Sequence, residues 1–178
     1  MIFSCQPTKK NDNFVFDYSR FENFSINAKS VLLNNFYEQS SSNTNIENQI
    51  KISPNLRLQS WLKKNFRIFG DENKLIINIL DSSISRNEIN NENAKNFEEK
   101  TIYSYNVSYL IEFELYDDFD YLLTNVIVEG ARSTTSNKFI SLNELDSIVD
   151  LLIFNSIQDL SNETKLLLNK YMNEYLLS

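Results

Sequence analysis

The 178-residue chain has no histidine, one cysteine, two glycines and two prolines. Without histidine there is no imidazole base, no Ser-His-Asp triad and no histidine metal ligand. Cys5 stands alone, so no intrachain disulfide and no cysteine cluster can form. Gly70 and Gly130 lie far apart, which excludes a glycine-rich phosphate loop. No apolar run reaches the ~18 residues of a membrane-spanning helix. Lys and Arg number 17 against 24 Asp and Glu, leaving a net charge of −7 and a pI near 4.7. Nucleic-acid binding relies on cations that neutralise phosphates, and this chain has no basic stripe, so no nucleic-acid partner is expected.

Apolar residues make up 42% of the chain and aromatics 13%, which is enough for a core. A chain of this length buries roughly 70% of its unfolded surface and needs no metal or disulfide staple. The start, Met1-Ile2-Phe3-Ser4-Cys5, matches the end of a bacterial lipobox, with a small residue directly before the cysteine. A stray thiol in a frayed terminus is the other reading, and the residues alone leave both open. Gln6 to Asn13 is polar and reads as a tether, which extends to residue 20; Phe14-Val15-Phe16 either docks or forms a short edge strand.

Phe24, Ile26 and Ala28 alternate with polar residues and predict a first strand running on to about Tyr37. Glu38 to Ile52 is a long loop, functional or mobile by its length. Ser53-Pro54 predicts a helix start, with Ser as the N-cap and Pro where its missing N–H is harmless. Leu58, Trp61, Leu62, Phe66 and Phe69 follow at helical spacing, and Gly70 is the predicted end. Lys74 to Leu80 is apolar on both sides and predicts an interior strand, while Asn90 to Lys100 reads as a connection.

The clearest signal runs from Tyr103 to Leu115. Tyr103, Tyr105, Val107, Tyr109, Ile111, Phe113 and Leu115 are apolar at alternate positions, and all but one of the residues between them are polar. Only a strand puts such a set on one face. Asp117 to Asp120 predicts a turn, and a returning strand runs from Leu122 to about Thr134, with Gly130 marking a bulge. Ser141-Leu142-Asn143-Glu144 is a capping box that opens a last helix, and Ser161 to Thr164 predicts a break in it. These elements predict an α+β two-layer sandwich: a roughly four-stranded, mainly antiparallel sheet with two helices on one face, in the order β-α-β-β-β-α. Residues 1–20 form the lipobox remnant and tether, and residues 21–178 form one domain.

No constellation points to catalysis. Asp117, Asp118 and Asp120 supply oxygens but lack calcium-loop spacing, and turns favour aspartate for backbone reasons. Glu112 and Glu114 sit two apart on the strand face expected to meet solvent rather than across a cleft. Tyr103, Tyr105 and Tyr109, like Trp61, fit a core better than a pocket. No enzyme activity, cofactor or metal is expected.

Several short stretches carry a resemblance: Arg20-Phe21, Asn45-Ile46-Glu47, Ser53-Pro54 with Trp61, Asp81-Ser82, and Ser141 to Glu144. With these the chain resembles a group of small exported lipoproteins of alphaproteobacteria, over nearly its whole length. In that family a lipobox cysteine precedes the domain, which implies that Cys5 is a lipid-attachment site. The charged and apolar regions of a signal peptide are not among these residues, so export is implied by the resemblance alone. The order of elements is more distantly similar to the lipopolysaccharide-assembly lipoprotein of the outer membrane and to auxiliary lipoproteins of lipid-transporting ABC systems.

The resemblance implies a non-enzymatic accessory protein, lipid-anchored on the periplasmic face of the envelope, with the outer membrane favoured over the inner. It would bind lipid or another envelope protein, with outer-membrane assembly or lipid transport as the implied setting. Asn45, Ile46 and Glu47 in the long loop and Glu174 near the C-terminus are the expected partner contacts. A soluble module that binds a small apolar ligand between the aromatic strand and the helices is the alternative.

Overall fold

The computed structural model describes residues 14–92, 94 and 99–177. In chain order its main elements are β1 (Phe24–Ile26), β2 (Ser30–Asn35), α1 (Pro54–Asn65), β3 (Phe66–Ile68), β4 (Lys74–Asn90), β5 (Thr101–Tyr116), β6 (Leu122–Ser136) and α2 (Leu142–Tyr171). The fold is α+β. A four-stranded sheet has the order β2-β4-β5-β6, antiparallel except where β2 runs parallel to β4.

The alternation in β5 organises the core. Tyr105, Val107, Tyr109, Ile111, Phe113 and Leu115 are all buried beneath the helices, whereas Glu112 and Glu114 face the other way. On either side of β5, Ile77 pairs with Phe113 and Val128 with Ile111, which extends the same apolar face. Helix α2 lies over β5 and β6, and α1 lies over β4.

Two parallel strands, β1 and β3, form a small second sheet. The C-terminal residues extend it: Asn27 N–H donates to Tyr175 O (2.8 Å) and Leu177 N–H donates to Ser25 O (2.9 Å).

Five local expectations change. The single first strand divides into β1 and β2 around Asn27–Lys29, because the chain crosses there from the small sheet to the large one. Helix α1 stops at Asn65 instead of reaching Gly70. Phe66 takes extended angles and its ring stacks on Phe24 (4.6 Å) and on Phe113 (5.2 Å). Strand β4 continues ten residues past Leu80, where a register shift between Ile79 and Asp81 moves the inward phase to Ser82 and Ile84.

Gly130 marks no bulge. It pairs with Tyr109, and a Cβ added there would lie 3.1 Å from Leu160 Cδ1, so glycine lets α2 approach the sheet. Finally, α2 runs unbroken for 30 residues, about 45 Å. Ser161 and Thr164 do not divide it: both are buried, and Thr164 Oγ1 donates to Leu160 O (2.7 Å) inside the helix. The capping box at its start forms, with Ser141 and Glu144 each bonded to the other's backbone N–H. Those donations hold the Glu144 carboxyl below its ordinary pKa.

Candidate functional site

Cys5 lies outside the described residues. Phe14, the first described residue, already packs on the domain, whereas the expected tether runs to residue 20. Phe14, Phe16 and Phe21 surround the Phe154 ring of α2 at 5.4, 5.3 and 4.9 Å between ring centres. The guanidinium of Arg57 lies 4.1 Å from the centre of the Phe16 ring. Residues 14–20 are therefore a packed strap, because their aromatic rings have a place to bury. Phe14-Val15-Phe16 docks and forms no strand.

The Glu38 to Ile52 loop is pinned in its middle. Asn45 bridges to Ser85 of β4, and Arg86 N–H donates to Thr44 O (2.8 Å). Ile46 is fully buried and plugs the loop into the core. Its side chain is thus not available to a partner, contrary to the expectation for Asn45-Ile46-Glu47; only Asn45 and Glu47 keep part of their surface. Glu47 accepts hydrogen bonds from the Tyr37 hydroxyl and from Asn45 Nδ2 (3.1 Å). Burial, and then the Glu47 carboxylate, push the Tyr37 phenol far above its ordinary pKa.

Glu174 is exposed in a 3-10 turn after α2, next to the C-terminal pairing with β1. The fold does not bring it to Asn45. Glu174 adjoins β1, whose exit at Lys29 bonds to Glu72 and Asn73 just before β4, whereas Asn45 meets β4 at Ser85. Lys74 and Ser85 are about 36 Å apart along that strand.

The aromatic row is core. Tyr105, Tyr109 and Trp61 are buried, and burial pushes the Tyr109 phenol well above its ordinary pKa. Only Tyr103 reaches the rim, where Arg86 (4.7 Å) and Lys138 (5.8 Å) lie over its ring. The side chains between the aromatic strand and the helices form one buried core cluster.

The outward face of the sheet carries a polar ladder that runs across three strands. Asn34 Nδ2 donates to Asn78 Oδ1 (3.0 Å), and Asn78 Nδ2 donates to Glu112 Oε2 (3.2 Å) and Glu114 Oε2 (3.1 Å). The Tyr116 hydroxyl donates to Glu114 Oε1 (3.3 Å). The two carboxylates are thus neighbours, tied together by one amide. The visible sign of this ladder in the sequence is Asn78, one amide inside the apolar run from Leu75 to Leu80.

The β5–β6 hairpin end is the feature that sequence reasoning missed. Its three aspartates are engaged within the protein. Asp117 Oδ1 accepts from Phe119 N–H (2.8 Å) and Tyr121 N–H (2.9 Å); Asp118 pairs with Lys29 (2.6 Å) and Asp120 with Lys74 (3.5 Å). The Lys29 ammonium holds the Asp118 carboxyl below its ordinary pKa. Among the described residues no group of three or more His, Cys, Asp or Glu is placed to hold a metal. What the turn presents outward is aromatic: Phe119 is 81% exposed and Tyr121 70%. The signal was the run Phe119-Asp120-Tyr121-Leu122-Leu123, in which apolar residues crowd a turn.

No protein-family model matches the chain, and no curated protein matches it. Among solved structures it is similar to the 2.35 Å crystal structure of a minor lipoprotein from Acinetobacter baumannii. The two are 15% identical with a TM-score of 0.44, over 86% of this chain and 98% of that one.

Surface clefts flank these features. One of about 320 Å³ lies between the Glu22–Ser25 stretch and the end of α2, spanned by the Lys165–Glu22 ion pair (2.9 Å). No described helix is long and apolar enough to cross a membrane.

Proposed function

We propose that this chain is a non-enzymatic lipoprotein of the bacterial envelope, anchored through Cys5, whose domain serves as a binding accessory. The observation that carries the reading is the order of its first residues. Ile2-Phe3-Ser4-Cys5 has the lipobox pattern, and the polar stretch Gln6 to Asn13 leads to Phe14, the first described residue, which packs on α2. Stable anchoring takes more than one acyl chain, which bacterial lipoprotein modification supplies.

The domain's carboxylates support a binding role over a catalytic one. Glu112 and Glu114 are bridged by Asn78, Glu47 holds Tyr37, and the turn aspartates hold backbone N–H groups and lysines. The outward sheet face, with its polar ladder, is the surface we assign to a protein partner. On this reading the domain faces the periplasm from the outer membrane and assists assembly or lipid transport there.

The test is to express the gene with its upstream region and to compare membrane fractions of the wild type and Cys5→Ser. The wild type is expected in the membrane pellet and the variant in the soluble fraction. Equal distribution of the two would remove the anchor.

A further inference from the structure

We propose that the β5–β6 hairpin end is a second, shallow membrane contact that seats the tethered domain on a zwitterionic bilayer. This rests on the lipid anchor proposed above and specifies how the domain stands on its membrane.

The apolar groups of this end are gathered by tertiary structure. Phe119 and Tyr121 project from the turn, and Leu122 and Leu123 follow at the start of β6, each 40% exposed or more. Thr124 Oγ1 donates to Tyr171 O (3.1 Å), which adds the half-exposed Tyr171 at the end of α2 to the same end of the molecule. The turn that carries Phe119 is held in shape. Asp117 caps two of its N–H groups, and Asp120 sits at φ +61°.

Size argues for a bilayer over a protein. A large side chain buries roughly 150–250 Å², so the exposed parts of Phe119, Tyr121, Leu122, Leu123 and Tyr171 together offer roughly 400–700 Å². A specific protein interface needs about 800 Å² on each partner. A contact too small to hold a free protein is sufficient for one already tethered, because the tether supplies a high effective concentration. Tyrosine favours the level of the lipid headgroups, and phenylalanine and leucine favour the boundary just beneath them.

Charge selects the kind of surface. Lys29 and Lys74 are both paired with aspartates of the turn, which leaves Lys170, over the Tyr171 ring at 4.7 Å, as the cation beside the patch. The whole chain carries −7, which an anionic surface repels.

The reach fits. Phe14 packs on Phe154, and Tyr171 lies seventeen positions further along α2, about 25 Å away. The nine residues from Cys5 to Phe14 span up to about 30 Å when extended. A lipid on Cys5 and the ring of Tyr171 can therefore lie at one membrane level.

The test uses the full chain as Cys5→Ser with an N-terminal hexahistidine tag, held on phosphatidylcholine vesicles that contain a nickel-chelating lipid. Phe119→Trp is compared with Phe139→Trp, which places the probe at an 88%-exposed site before the start of α2, at the other end of that helix. Trp61 is buried and provides a constant background. With brominated phosphatidylcholine, Phe119→Trp is expected to lose emission and shift to the blue, while Phe139→Trp stays unchanged. Replacing part of the phosphatidylcholine with an anionic lipid is expected to weaken the Phe119→Trp response. No quenching of Phe119→Trp, or equal quenching at both sites, would overturn the proposal. A response to native membranes but not to pure lipid vesicles would also overturn it, in favour of a protein partner. The nickel lipid replaces the acyl chains, so a failure of Cys5 lipidation leaves this test intact.

Discussion

One guanidinium nitrogen of Arg57 on α1 lies 2.9 and 3.0 Å from the two carboxylate oxygens of Asp150 on α2, while the same guanidinium covers the ring of Phe16. This contact joins both helices to the N-terminal strap. The Arg57 side chain is largely buried and that of Asp150 mostly so, which places the pair between a surface bridge and a buried one. Arg57→Ala is expected to lower stability by about 1–3 kcal/mol in urea denaturation. A double-mutant cycle with Asp150→Ala separates the ion pair from the packing on Phe16. Zero coupling would assign the whole effect to Phe16.

Gly70 has φ +154°, and a Cβ there would lie 2.1 Å from Asn27 Oδ1 and 3.2 Å from Ala28 N. Gly70→Ala is expected to lose about 1–3 kcal/mol. Removing the side-chain clash with Asn27→Ala restores only part of this, because the backbone angle and the approach to Ala28 remain. Complete rescue in thermal melts would show that the angle carries no strain.

Ile46 anchors the long loop by its burial. Ile46→Ala is expected to lose about 2–5 kcal/mol. Limited proteolysis should then cut the loop first, at the exposed serines from Ser40 to Ser42. If stability is unchanged, the loop is not held by this plug.

Asn78 stands between two carboxylates on the outward face. Asn78→Ala removes the shared donor and leaves Glu112 and Glu114 to repel each other, at a cost of about 1–3 kcal/mol. High salt should recover part of that loss, since it screens the repulsion. A loss independent of salt would point to packing alone.

Tyr37 and Tyr109 titrate late, because burial favours the neutral phenol in the folded state. A folded-state pKa above the unfolded value contributes stability that is complete below about pH 10 and is lost as pH rises through the folded value. Phenolate absorbance from these two of the nine tyrosines should therefore appear only as alkali unfolds the protein. Tyr37→Phe should remove one late-titrating group. Smooth titration of every tyrosine with the fold intact would contradict the buried placement.

Elements set by neighbours in sequence were legible in the sequence. The alternation from Tyr103 to Leu115 defines β5 because side chains two apart share a face of a strand. Ser53-Pro54 and the Ser141–Glu144 box start both helices because each cap satisfies N–H groups within one turn. The turn at Asp117 is closed by its own side chain. Tertiary structure decided the rest. Helix α1 ends at Asn65 because Phe66 stacks on two rings distant in sequence, and α2 passes Ser161 and Thr164 because both are buried. The break between β1 and β2 depends on which sheet each joins, and Ile46 is a plug only because the core lies beneath it. The hairpin end gathers Phe119, Tyr121 and Tyr171 from two elements, and no local period records that meeting.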